Sequence, residues 1–342
     1  MYNQSYASQP GIPNPLIRER EPSENSWLTT WASIPSFRYK TLAELALPEQ
    51  WYYGATPPDG DEYPILKNYL LYTFKRLCAE GKVMISIDRE RNEEYAAFNT
   101  GLVDRKYECI YALFKETTRY PNCYWYLVDF VVAGEDAGKT LNRLFNPLPA
   151  RADYFESRIE NMLFDGTTGP LICDYTHIIT ERTIRLPQDF LEDNCPGDML
   201  NINGMTLSDA YDHSDPSVRH EYFHKLGLAI KGNSRIFNRL KHRLNDAVEL
   251  AKKRAAWNYK TAIPTYYPKH NAGSLLLPLA LADEEHIDLA LVVIRNPSGS
   301  YQGETILPLD LAYSNSRLVS RPDSDWLRTE SITISDENDE ED

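Results

Sequence analysis

A chain of 342 residues with 42% hydrophobic and 12% aromatic residues can hold one large domain or two smaller ones, and its composition is that of an ordinary globular protein. No run approaches the roughly 20 apolar residues of a membrane helix and MYNQSYASQPGIPNP lacks the order of a signal peptide, so a cytoplasmic or nuclear, non-secreted protein without membrane contact is expected. A formal net charge of −14 argues against general coating of nucleic acid, and five cysteines without a C-x-x-C pair imply neither a disulfide framework nor a zinc site.

Residues 1–25 are rich in Pro, Ser, Asn and Gln without periodicity and read as disordered. In TLAELALPEQWYY, Thr41 and Glu44 have the spacing of a capping box for a short helix. The run ILKNYLLYTFKRLCAEGK has helical spacing, with Pro64 at its start and Gly81 at its end. KVMISID, EYAAFN, YECIYALFKE and CYWYLVDFVVA read as strands joined by short polar links, which favours an antiparallel meander because parallel strands need longer crossovers. Short helices are expected in AGKTLNRLF and ADYFESRIENML, and mixed short pieces between Leu171 and Gly204. Asp215–Pro216 opens a helix reaching Lys231, and a long amphipathic helix follows from Ser234. SLLLPLALA, IDLALVVIRN and YQGETILPL then read as strands, with a terminal helix from Asp310 to Leu318 and an acidic tail over 329–342. The expected class is α+β: a largely antiparallel sheet built from both halves of the chain and packed against long helices, in one globular domain over 26–328.

Four groups of residues have the chemistry of a site. His220, Glu221 and His224 form an H-E-x-x-H, whose two imidazoles could bind zinc on one helix face. The flanking Arg219 and Lys225 and the lack of an assigned third ligand favour an ordinary surface helix. On a wheel of about 100° per residue, Arg243, Arg254 and Asn258 of the Ser234 helix fall at the edge of its apolar arc. Arginines so placed need a carboxylate, such as Asp310 or Asp323, or a phosphate-bearing ligand. Next, Lys260 and the tyrosine pair of Ile263–Lys269, including Tyr266, combine charge with rings that could stack on bases. Lastly, Tyr301, Thr305, Asp310, Tyr313, Asn315, Arg317 and Arg321 crowd polar groups at a strand end, where sites are often built.

The blocks AAFNTGLVDRKYECIYALF, AWNYKTAIPTYYP, SLLLPLAL and LALVVIRNPSGSYQGETILPLDLAYSNSRLVSRPDSDWL resemble, in this order, the family of domain of unknown function 3825, over roughly Trp27 to Leu327. The resemblance implies no settled activity. Some members are joined to cold-shock or other RNA-linked modules, for which the flanks of this chain are read as too short. It implies no role for the H-E-x-x-H segment, and it places Asn99, Thr100, Asn258, Lys260, Tyr301, Thr305, Asp310, Tyr313, Asn315 and Arg317 in matching blocks.

The reading that joins these observations is a nucleotide- or RNA-binding domain with a phosphate pocket between the Ser234 helix and the C-terminal strands. Arg254, Lys260 and Arg317 would hold phosphate and Asn258 and Asn315 would give directional hydrogen bonds, with Arg243, Asn99, Thr100 and Thr305 as further binding candidates. Tyr266 or Tyr301 would stack, and Asp310 would be the general base if the site is hydrolytic. No cofactor is expected, zinc included, and the sequence names no protein partner. The alternatives are a zinc-dependent hydrolase using His220, Glu221 and His224, and a non-catalytic interaction scaffold. Convergence of Arg254, Asn258, Asp310 and Arg317 in one cleft is the geometric requirement of the pocket.

Overall fold

The computed structural model describes residues 18–58, 62–154, 162–167, 169–267 and 272–335. The class is α+β with mostly antiparallel pairing, as expected, but the strands divide between two five-stranded sheets instead of joining in one. Contacts group the chain into two compact units, one within Met1–Glu49 and Leu66–Ala152 and the other within Gln50–Ile65 and Asp153–Asp342. Strand pairing depends on which edges meet across long sequence distances, which local alternation does not record.

In the first unit α1 (Leu28–Trp31) leads into β1 (Ala32–Ser33), α2 (Phe37–Leu45) and α3 (Pro64–Ala79), whose first two residues belong to the second unit. The meander β2 (Met84–Asp88), β3 (Glu93–Val103), β4 (Cys109–Glu116) and β5 (Trp125–Val132) follows, then α4 (Lys139–Leu144). The order is β1-β5-β4-β3-β2, with β1 parallel to β5 and the other pairs antiparallel. Trp31, Phe74, Phe98, Phe114 and Trp125 are fully buried, and Trp31 lies 4.9–5.7 Å from three of the other rings. On the alternate positions Tyr95, Ala97, Tyr111, Leu113 and Val131 meet Leu141 and Phe145 of the α4 segment. The period-2 alternation of β3 therefore buries both faces, which is why its sequence is apolar throughout. Thr41 does not cap α2: the helix begins four residues earlier, and the Thr41 hydroxyl donates to the Phe37 carbonyl within it. Arg18 donates to the Cys123 and Thr117 carbonyls and Arg20 forms a bidentate pair with Glu94 at 2.7 and 2.9 Å, so the sequence expected to be loose is tied down from residue 18 onward.

The second unit contains β6 (Leu171–Cys173), α5 (Gln188–Asn194), α6 (Leu207–Tyr211), α7 (Pro216–Gly232) and α8 (Ser234–Trp257). After these come β7 (Ile263–Tyr267), β8 (Ala272–Leu279), β9 (Leu289–Arg295), β10 (Tyr301–Leu307) and α9 (Leu309–Val319). Residues 155–161 of the expected helix ADYFESRIENML lie outside the described residues. The sheet order is β6-β10-β9-β8-β7, with β6 parallel to β10 and the rest antiparallel.

This sheet has two different faces. Leu275, Leu277, Leu279, Leu289, Leu291, Val293, Tyr301 and Ile306 form one core cluster with the apolar stripe of α8 (Ile236, Leu240, Leu244, Ala247, Val248, Ala251, Ala255) and with Tyr222, Phe223, Leu226 and Ile230 of α7. The register Thr305↔Val292, Val292↔Leu276 and Leu276↔Ile263 puts these four on the opposite face, with the pair Thr265↔Ser274 two positions along. Helix α9 packs on β7 and β9. Among the described residues no helix is long and apolar enough to cross a membrane.

Candidate nucleic-acid interface at the end of the long helix

Helix α8 begins at Asn233, whose side chain accepts the Ile236 N–H, and runs 24 residues, about 36 Å at 1.5 Å per residue. Between Ser234 and Lys260 the sequence holds eight Lys and Arg against two acids, in a chain whose net charge is −14. Because the apolar stripe is spent on the sheet, these cations stand at the solvent side. Lys252 pairs with Glu249 at 2.8 Å.

Among the described residues neither Arg243 nor Arg254 pairs with an acid. Arg243 is exposed and donates to the Leu281 carbonyl at 3.3 Å, and Arg254, half-buried, donates to the Glu284 carbonyl. Their long stems let the guanidinium groups leave the apolar arc and reach the loop after β8. At the C-cap, Asn258 accepts the Lys260 N–H at 3.1 Å and its own N–H closes the helix on the Arg254 carbonyl. Lys260 pairs with Asp323 at 2.6 Å, which raises the lysine pKa and lowers that of the carboxyl. The Trp326 indole donates to the Thr261 carbonyl at 2.8 Å, tying the segment after α9 to the turn after α8.

The rings at this end differ from the predicted ones. Tyr266 is buried, edge-on to Tyr154 at 4.9 Å, and Tyr301 is fully buried against Phe164 at 4.7 Å, its hydroxyl accepting the Asp165 N–H. Neither can stack on a base from solvent. Trp257, the last residue of α8, is instead 93% exposed, and Tyr259 is 65% exposed. On the wheel Trp257 lies about 100° from Leu240, outside the apolar arc, so the signal for its exposure is present in the sequence.

The polar residues of the C-terminal block gather around α9. Asp310, in its first turn and 5% exposed, accepts the Leu311 N–H at 2.9 Å, the Ser335 N–H at 2.7 Å and the Ser335 hydroxyl at 2.8–2.9 Å. Burial pushes its pKa up, against the opposing effect of these donors. Tyr53 bonds the Asp310 carbonyl at 2.8 Å and the Ser314 hydroxyl at 2.7 Å, while the Arg317 guanidinium sits 5.1 Å from the centre of the Trp51 ring. The buried Thr265, Ser274 and Thr305 hydroxyls and the Asn315 amide nitrogen have no hydrogen-bond partner among the described residues.

Arg254 donates to the Glu284 carbonyl, Asn258 closes the end of α8, Asp310 accepts from Leu311 and Ser335, and the Arg317 guanidinium lies over the Trp51 ring. Lys260, through Asp323, and Thr261, through the Trp326 indole, join the end of α8 to the C-terminal segment. Asn99 and Thr100 belong to β3 of the first unit. Asn99 accepts the Gly101 N–H at 2.9 Å, and Thr100 donates to the Ile110 carbonyl at 2.7 Å, so both serve the strand and its bulge. His220, Glu221 and His224 are exposed on α7, Glu221 pairs with Lys225 at 2.5 Å, and no group of three or more metal-binding side chains occurs among the described residues.

A sequence profile described as "Domain of unknown function (DUF3825)" matches residues 42–326. The chain belongs to this family. No curated protein and no solved structure gives a match. The matched stretch includes every strand of the two sheets except β1, and α8 through to Trp326.

Proposed function

We propose that the chain binds single-stranded RNA along the solvent side of α8, with bases stacked on Trp257 and Tyr259 and phosphates met by the cations of the helix. The observation that carries this reading is the pair of exposed rings, 93% and 65% accessible, at the end of the most basic helix of an acidic chain. An indole so exposed forfeits its own burial, and a base face restores it in any sequence context. Asn258, Lys253, Arg254 and Lys260 lie beside the rings in sequence and supply hydrogen bonds and charge. The phosphate contact is thereby moved from a pocket to a surface track, and the ligand from a nucleotide to a strand: two rings two residues apart suit consecutive bases. This is a binding role, with no reaction assigned to it.

Fluorescence anisotropy with a labelled, unstructured 12-nucleotide RNA tests the reading. Trp257→Ala is expected to weaken binding roughly 5- to 150-fold, the equivalent of ~1–3 kcal/mol of stacking. Log Kd should rise with log salt at about 0.7 per phosphate neutralised. Absence of saturable binding, or equal affinity of the wild type and the Trp257→Ala/Tyr259→Ala double variant, refutes it.

A further inference from the structure

The C-terminal strap Thr329–Ser335 meets α9 through its last residue. The Thr329 carbonyl accepts the Gly54 N–H at 2.8 Å, Ile332 is 2% exposed, and Ser335 gives both its N–H and its hydroxyl to the Asp310 carboxylate. Ser335 itself is only half-buried, whereas Asp310 lies beneath it at 5% exposure. Beyond Ser335 the sequence continues Asp-Glu-Asn-Asp-Glu-Glu-Asp, with carboxylates at the next two positions. A hydroxyl followed by acids is the charge pattern that acid-directed serine/threonine kinases select.

We propose that Ser335 is a phosphorylation site whose modification releases the strap from α9. The co-reactants are ATP and an acid-directed protein kinase. The Ser335 Oγ attacks the γ-phosphorus, the new O–P bond replaces the bond to ADP, and the hydroxyl proton passes to the kinase base. Two consequences at Asp310 follow. The hydroxyl donor is gone, and a group of about −1.5 to −2 charge stands against a carboxylate that has little water to screen it. The electrostatics favour separation, and among the described residues the burial of Thr329 and Ile332 and the Gly54–Thr329 main-chain bond oppose it. Local opening of the segment around the half-buried Ser335 also gives a kinase access before modification. This inference is independent of the RNA reading.

The test treats the full chain with ATP and an acid-directed kinase, maps phosphate by mass spectrometry and follows hydrogen exchange over 328–335. Phosphate is expected on Ser335, with the exchange rate of the strap raised at least about tenfold, the loss of one or more charge-assisted hydrogen bonds. Asp310→Asn, which lacks the repelling charge, should show a smaller rise on the same phosphorylation. Ser335→Ala, which loses the hydroxyl without gaining charge, should exchange faster than wild type but slower than the phosphorylated chain. Phosphate confined to Thr333 or Ser331, an unchanged exchange rate after Ser335 is modified, or Ser335→Ala matching the phosphorylated chain would each overturn the proposal.

Discussion

The same substitution, Thr→Val, should have opposite signs at two buried threonines. Thr265 is 1% exposed on β7, paired with Ser274, and its hydroxyl finds no partner among the described residues. Thr100 is fully buried on β3, but its hydroxyl donates to the Ile110 carbonyl at 2.7 Å and accepts the Leu102 N–H at 3.2 Å. Valine keeps the volume and β-branching in both places and removes only the hydroxyl. An unpaired buried polar group costs ~1–3 kcal/mol, and a methyl in its place adds apolar burial of about 0.8 kcal/mol at most. Thr265→Val should therefore stabilise by ~1–2 kcal/mol, and Thr100→Val should destabilise by ~1–3 kcal/mol because it orphans two main-chain groups. For a unit of this size each kcal/mol moves Tm by about 2–4 °C, so the two variants should part by several degrees in opposite directions. Circular dichroism melts give the shifts, and hydrogen exchange on the β7–β8 and β3–β4 peptides assigns each to its own sheet. A lower Tm for Thr265→Val would refute the reasoning, since it would mean that the hydroxyl is satisfied in the native protein.

Two further outcomes follow from the same packing. The raised pKa of Asp310 means the native state holds that proton more tightly than the unfolded chain does, so its contribution is present below the ordinary carboxyl value and lost as pH rises through the raised one. Asp310→Asn should then flatten the fall of Tm across the mildly acidic range relative to wild type, and superimposable profiles would contradict the assignment. At Gly227 an added Cβ would lie 2.1 Å from the Thr180 carbonyl oxygen and 2.8 Å from the Thr183 hydroxyl, so Gly227→Ala should wedge α7 off the 177–183 segment. We expect it to destabilise by ~1–3 kcal/mol in a denaturant melt, and an unchanged midpoint would show that the backbone yields freely.

Much of the fold was legible because periodicity is local. The spacing of Ile65, Leu66, Tyr69, Leu70, Phe74 and Leu77 marked α3, and the stripe Ile236, Leu240, Leu244, Ala247 and Ala251 marked α8 and its buried face. The division into two sheets was not legible, because β6 joins β10 across more than 100 residues as a three-residue parallel edge too short to show a pattern. The strap was read as a loose acidic tail, since only the fold reveals Asp310 beneath Ser335. Composition marks Ser234–Lys260 as a basic segment, but residue type alone does not say which rings stay outside. Tyr266 and Tyr301 have the polar sequence neighbours expected of stacking rings, yet the sheet buries both. The angle of Trp257 on the helix sets it apart from the stripe, a signal that needs the helical register and not residue type. On the wheel Arg243 and Arg254 fall at the arc's edge, and their partners are main-chain carbonyls of a loop that no side-chain pairing rule picks out.

The measurement closest to the central claim is the affinity of the intact chain for a short unstructured RNA, compared between wild type and Trp257→Ala at two salt concentrations. The account predicts saturable binding that weakens roughly 5- to 150-fold on loss of the indole and falls further with salt for both proteins. Equal affinities for the two proteins, or no binding by either, would contradict it.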